Sequence, residues 1–321
     1  MVIDILIFLF SILLIIFGAR FFVNSSVKIA RKLKVSEFVI GLTLISLGTS
    51  LPELFSSIIA SVRHHSDLIA GIILGGNIAD ITMVVGVAAL ISAIRLKKQV
   101  LKIDIYMMIS IILLLGIFLI DKTLSRTEGI VFVIIYLIYN FYIFKVKKKE
   151  NNHKAIIKHI SKEEEKSDRI KKLGFLDIIL FVLGGLMLYL GAEGLVREAV
   201  LIAENLGVSI VIIGVIISIG TIIPELSVSI TSSSERKGEI AVGNSVGSVI
   251  TNILLILGVS AIIFPMTVAQ KSISFLFLFL LGASVLLGVL IRTKWKITRI
   301  EGAVLFTVYV AFWFLAWHLI K

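Results

Sequence analysis

A run of about 20 mostly apolar residues is long enough to cross the hydrocarbon core of a bilayer as one helix. This sequence contains ten such runs, near 2–23, 36–62, 68–92, 104–121, 127–145, 174–193, 207–233, 239–264, 272–291 and 300–320. A chain of 321 residues, 58% of them hydrophobic, cannot bury that much apolar surface in one water-soluble core. The bilayer has to act as its solvent. The expected fold class is therefore an all-α polytopic membrane protein with ten transmembrane helices. The first run has no basic leader and no small-residue cleavage site, so it reads as a retained span.

The formal charge of +11 is a statement about topology. With ten spans and the N-terminus outside, 25 Lys and Arg residues fall on the cytoplasmic side and six outside, with Arg20 inside a helix. That distribution predicts a multi-pass protein of the plasma membrane and leaves no basic patch for nucleic acid. The absence of cysteine removes disulfides, thiolate metal sites and thiol nucleophiles. The one long polar stretch, 146–173, has mixed charge and reads as a cytoplasmic tether whose basic end suits anionic headgroups.

That tether separates two copies of one unit. Gly48-Thr49-Ser50-Leu51-Pro52-Glu53-Leu54 returns 172 residues later as Gly220-Thr221-Ile222-Ile223-Pro224-Glu225-Leu226. The same offset carries Gly71 onto Gly243, Gly75 onto Gly247, Asp80 onto Asn252 and Gly86 onto Gly258. Three units follow: a first five-helix repeat at 1–145, the linker at 146–173, and a second five-helix repeat at 174–321. An odd number of crossings per copy turns the second upside down, the plan of inverted-repeat transporters.

Of three prolines, Pro52 and Pro224 share a repeat position inside apolar runs. Each removes a backbone hydrogen bond and should expose carbonyls one turn earlier, near Gly48 and Gly220. Such groups survive in lipid only where protein, water or an ion satisfies them. Glu53, Asp80 and Glu225 are the acidic residues near the centres of apolar runs, with no Lys or Arg at comparable depth in the second, third, seventh or eighth run. A charge there costs at least about 2.5 kcal/mol and reads as functional by default. A purely structural pairing of the glutamates would leave the repeat symmetry unexplained. Calcium takes six to eight oxygen ligands, and Glu53, Glu225, Asp80, Asn252, Thr49 and Thr221 offer that set, with no His or Cys to suit zinc or copper.

These residues resemble the cation/calcium exchanger superfamily, in particular archaeal and bacterial sodium/calcium exchangers, over nearly the whole chain. The motifs that carry the resemblance are Gly48 to Glu53 and Gly243-Asn244-Ser245-Val246-Gly247-Ser248 followed by Asn252. It implies a ten-helix antiporter in which the second, third, seventh and eighth helices form the ion core and the first and sixth slide. Glu53 and Glu225 would bind calcium and sodium beside Thr49 and Thr221. Ser50, Ser248 and the carbonyls of Ser46 and Ser218 would be sodium ligands, with Asp80 and Asn252 completing the centre. No cofactor and no protein partner is implied, since the ions are cargo.

The chain departs from the family pattern at four places. Asp80 and Asn252 exchange the family's usual Asn and Asp, and Ile222 and Gly76 replace two expected serines. Asn77 beside Gly76 is a candidate substitute ligand. These changes keep proton-coupled calcium exchange open beside sodium coupling, with a passive cation channel as a further alternative. An intramembrane hydrolase using Ser50 or Ser248 lacks a His or Lys base. His64 and His65, adjacent and near Asp67, point to different faces and suit a turn better than a metal. Arg20 and its repeat partner Glu193 are either gate charges or snorkelling side chains.

Overall fold

In lipid each backbone N–H and C=O must find its partner within its own segment, so apolar runs become helices. The computed structural model describes residues 2–32, 46–96, 98–149, 175–267 and 269–320. In chain order the helices are α1 Val2–Lys32, the single turn α2 Ser46–Gly48, α3 Leu51–Val62, α4 Ser66–Ala79, α5 Val85–Ile91, α6 Lys98–Phe118 and α7 Arg126–Lys149. The second half continues with α8 Phe175–Leu206, α9 Ile210–Thr221, α10 Ile223–Ser234, α11 Glu239–Thr251, α12 Gly258–Ile263, α13 Gln270–Lys294 and α14 Arg299–Ile320. Among the described residues eight helical spans are long and apolar enough to cross a membrane, and α9 with α10, bent by 41°, makes a ninth. The second expected run, 36–62, is described from Ser46 onward, and the expected linker lies outside the described residues from 150.

Two spans are longer than their apolar runs. The helices α1 and α8 have 31 and 32 residues, about 46–48 Å at 1.5 Å per residue against a hydrocarbon core of about 30 Å. The extra turns carry Asn24, Lys28, Arg31 and Lys32 in α1 and Arg197, Glu198, Glu204 and Asn205 in α8, polar residues that interrupt the apolar runs. They pack against each other antiparallel: a Cβ on Gly18 would lie 2.9 Å from the Leu188 nitrogen, and one on Gly191 3.0 Å from the Ile15 nitrogen. Lys28 adds an ion pair to Asp177 at 3.1 Å.

The centre of the molecule is α4 and α11. Every residue of α4 except Asp67 is buried, as expected of a helix that is apolar on all sides. The outer helices turn Leu6, Phe10, Leu137, Phe141, Leu278 and Phe314 outward, the surface a bilayer covers. Where α4 meets α9 the contact is backbone to backbone: a Cβ on Gly71 would sit 2.2 Å from the Val211 carbonyl oxygen and 2.9 Å from the Gly214 Cα. Small residues allow that approach, and close packing holds helices together in lipid.

The two halves are also tied reciprocally by short strands. Strand β1, Ile94–Arg95, pairs antiparallel with β4, Lys296–Ile297, and β2, Thr123–Leu124, pairs with β3, Met266–Thr267. Since β1 maps onto β3 at offset 172 and β2 onto β4 at 173, each pairing is the repeat image of the other. The same exchange holds for Gly86 against Gly302 and Gly258 against Gly129.

Candidate cation-binding site

Both repeated motifs break their helices at the same residue. Ser50 has φ −89° and ψ 6°, and Ile222, 172 positions later, has φ −82° and ψ 3°, in the sparsely allowed bridge region. Proline follows in the first turn of α3 and of α10, where its missing N–H costs nothing. The breaks bring Glu53 and Glu225 into the first turns, each 1% exposed. Asp80 and Asn252 open two π-helical segments, Asp80–Val84 and Asn252–Leu257. A π segment re-aims side chains within a helix and is frequent at functional sites. Asp80 is fully buried and Asn252 is 2% exposed.

The polar atoms there are under-satisfied. Both carboxylate oxygens of Glu53, both of Asp80, Oε2 of Glu225, and the hydroxyls of Thr49 and Ser50 are buried without a hydrogen-bond partner among the described residues. The Thr221 hydroxyl approaches Glu53 and the Thr49 hydroxyl approaches Glu225, each reaching toward the opposite repeat while stopping short of a completed bond. The carboxylates also feel one another: Glu53 acts on Asp80, and both act on Glu225. No described Lys or Arg pairs with any of them. A group of like charges away from water needs cations or protons to persist.

Among the described residues no three acidic, imidazole or thiol groups converge tightly enough to hold a metal ion alone. A cation held here must therefore draw on hydroxyl, amide and carbonyl oxygens as well, the mixed oxygen shell that hard cations accept.

The other expected ligands divide. Ser248 is buried at 5% exposure, and Ser46 opens α2 with its side chain outside the described residues. The Ser218 carbonyl already accepts the Ile222 N–H at 3.0 Å and the Thr221 hydroxyl at 3.3 Å, while its own hydroxyl donates to the Val215 carbonyl at 2.7 Å. Asn77 is fully buried and its Oδ1 accepts from Nδ2 of Asn252 at 2.8 Å, an amide pair that joins the halves across the centre. Sequence reasoning passed over Ser57 and Ser229, also buried with unpartnered hydroxyls. A signal was present: each stands four residues after its repeat's glutamate, hence on the same helix face.

The sequence itself aligns twice with the family profile described as sodium/calcium exchanger protein, at residues 3–145 and 176–318. The chain belongs to the sodium/calcium exchanger family. It is 36% identical to the sodium/calcium exchanger MaX1 of Methanosarcina acetivorans, over 97% of each chain. It is 30% identical to the inner membrane protein YrbG of Escherichia coli, over 79% of this chain and 78% of that one. Among solved structures it matches the sodium-calcium exchanger NCX_Mj soaked with sodium and strontium, with a TM-score of 0.64, 28% identity and 97% of each chain covered. The family is one of multi-pass membrane antiporters that carry ions, not of enzymes.

Proposed function

We propose that this protein exchanges calcium for sodium by alternating access to one central site, with Glu53, Glu225 and Asp80 as the charged ligands. Thr49, Thr221, Ser50, Ser248, Asn252 and the backbone near Ser46 and Ser218 supply neutral oxygens, and Asn77 orients Asn252. The observation that carries this reading is the mirror arrangement of buried carboxylates lacking any fixed counter-charge among the described residues. Calcium or its counter-ions neutralise the same groups, so loaded forms can change face and the empty form resists it. Two inverted five-helix repeats, 1–145 and 174–321, joined by a cytoplasmic linker and set in the plasma membrane with the N-terminus outside, give the site its two-sided access. The reciprocal strand pairing and the separate match of each half to the family profile support that plan. The ions are cargo; no cofactor or protein partner is needed.

The test is calcium flux in proteoliposomes with sodium, potassium and pH varied separately. An outward sodium gradient at matched pH should drive calcium uptake. Uptake driven by a pH gradient in sodium-free medium selects proton coupling instead, and single-channel current without counterflow selects a pore.

One observation bears on the number of sodium ions. The two positions where the family's serines are missing face each other: a Cβ on Gly76 would lie 3.9 Å from Cγ2 of Ile222 and 3.5 Å from Cβ of Ser218. Repeat symmetry carries these positions onto Ser248 and Ser50, so one pole of the site keeps both hydroxyls and the other is apolar. A Cβ at Gly76 would make only ordinary van der Waals contacts. Gly76→Ser with Ile222→Ser should raise apparent sodium affinity about fivefold, the scale of one added neutral ligand at about 1 kcal/mol, and steepen the sodium dependence of calcium flux. An unchanged sodium titration speaks against this account of the pole.

A further inference from the structure

Four charges remain outside the cation site and are related by the repeat: Arg20, Arg63, Glu193 and Glu235. Arg63 caps the C-terminus of α3 and forms an ion pair with Glu193 of α8. At offset 172 Arg63 corresponds to Glu235, and at offset 173 Glu193 corresponds to Arg20. Local structure bears out both correspondences. Arg63 and Glu235 cap their helices with φ/ψ of −89°/5° and −83°/8°, and each precedes a left-handed residue, His64 at φ 61° and Arg236 at φ 60°. Gly18 against Leu188 and Gly191 against Ile15 fix the offset for α1 and α8. The image of the Arg63–Glu193 pair is therefore Glu235 with Arg20, the same attraction with both signs reversed. Reversal of one partner alone would set like charges together.

We propose that Arg63–Glu193 and Arg20–Glu235 are alternately closed latches, one at each end of the molecule, which hold α8 or α1 to the core in the two end states of transport. The proposal rests on the alternating-access reading above. This structure has one latch closed. The α8 helix packs along α3, whereas its image, α1 against α10, is nearly without contact among the described residues. Arg20 is exposed and makes no ion pair with a described residue, while Lys237 holds Glu235 at 2.7 Å. The ends differ in the same sense. At the latched end the His64 ring stacks on Phe264, centroids 3.9 Å apart. At the other end the corresponding residues, Arg236 and Ser92, line a cavity of about 580 Å³ with Arg95 and Lys237. The Arg63 and Glu193 side chains are 39% and 31% exposed. Ion pairs that open to water are weak, as a contact broken in every cycle has to be.

The cysteine-free chain makes the test direct. Arg63→Cys/Glu193→Cys and Arg20→Cys/Glu235→Cys are cross-linked oxidatively in proteoliposomes, with a bifunctional thiol reagent as a second arm. Each pair should cross-link, each cross-link should stop calcium exchange, and reductant should restore it. Adding Glu193→Gln to the Arg20→Cys/Glu235→Cys protein should speed its cross-linking roughly two- to fivefold, the population shift that a weak ion pair supports. In the four-cysteine protein, closing one pair should suppress closure of the other. That mutual exclusion needs no particular coupling ion, so it separates a failure of the latches from a failure of sodium coupling. Failure of the Arg20→Cys/Glu235→Cys pair to cross-link in any ion condition, simultaneous closure of both pairs, or full exchange by a locked protein each overturns the proposal. Should cysteine substitution impair folding, Arg63→Glu/Glu193→Arg replaces it: retained exchange, against slowed exchange in either single variant, supports the latch, and equal rates overturn it.

Discussion

Replacing either Glu53 or Glu225 by glutamine is expected to abolish sodium-driven calcium exchange while leaving a folded empty protein at least as stable as the parent. Both carboxylates are buried, close to the other acids, and without a fixed counter-ion among the described residues. On the proposed reading each would be half of a buried charge pair when an ion is bound, and removing one half of such a pair costs about 3–5 kcal/mol. At about 1.4 kcal/mol per tenfold, calcium affinity should fall by at least about a hundredfold. In the ion-free protein a carboxylate there must take up a proton or stand uncompensated, and the amide removes that requirement, so thermal unfolding in chelator should not fall and the stabilisation that added calcium gives should vanish. A structural role for the glutamates gives the opposite pattern: unfolding at lower temperature in chelator, with calcium flux retained in the molecules that fold. Flux and thermal unfolding in one preparation separate the two.

The second large effect is expected from a single methyl group. Gly71→Ala would put a Cβ 2.2 Å from a carbonyl oxygen of α9, and neither backbone can yield by rotating a side chain. Overpacking usually costs about 1–3 kcal/mol, and backbone against backbone belongs at or above the top of that range. The α4–α9 contact should part, with loss of monodisperse protein on size exclusion and a fall in unfolding temperature. Gly282→Ala is the control, because a Cβ there meets nothing within 4 Å. It should leave stability within about 1 kcal/mol of the parent.

Much of this architecture was legible in the residues because the physics behind it is one-dimensional. Span length, the repeated Pro-Glu step and the shortage of intramembrane charge are all read along the chain, and the helix breaks fall at Ser50 and Ile222 as the prolines suggest. The ends of α1 and α8 were not legible, because packing against each other extends these helices beyond the apolar run. The π segments at Asp80 and Asn252 carry no periodic signature, since one extra residue in a turn is a response to tertiary packing. The four strands are two residues long, too short for alternation to register. The occupied Ser218 carbonyl and the Asn77–Asn252 amide pair depend on where two distant helices meet, which no spacing within either helix encodes.

The strand pairings have a mechanical consequence. Each ribbon links the end of a core span to the start of an outer helix in the opposite half, so α5, α7, α12 and α14 with their neighbours are hemmed at both ends into one stiff frame. Among the described residues α1 and α8 carry no such seam. A force along the frame's long axis is shared by everything stitched to it, whereas the proposed sliding of α1 and α8 would be that of a shuttle on a loom, unpicking no backbone bond between the four strands.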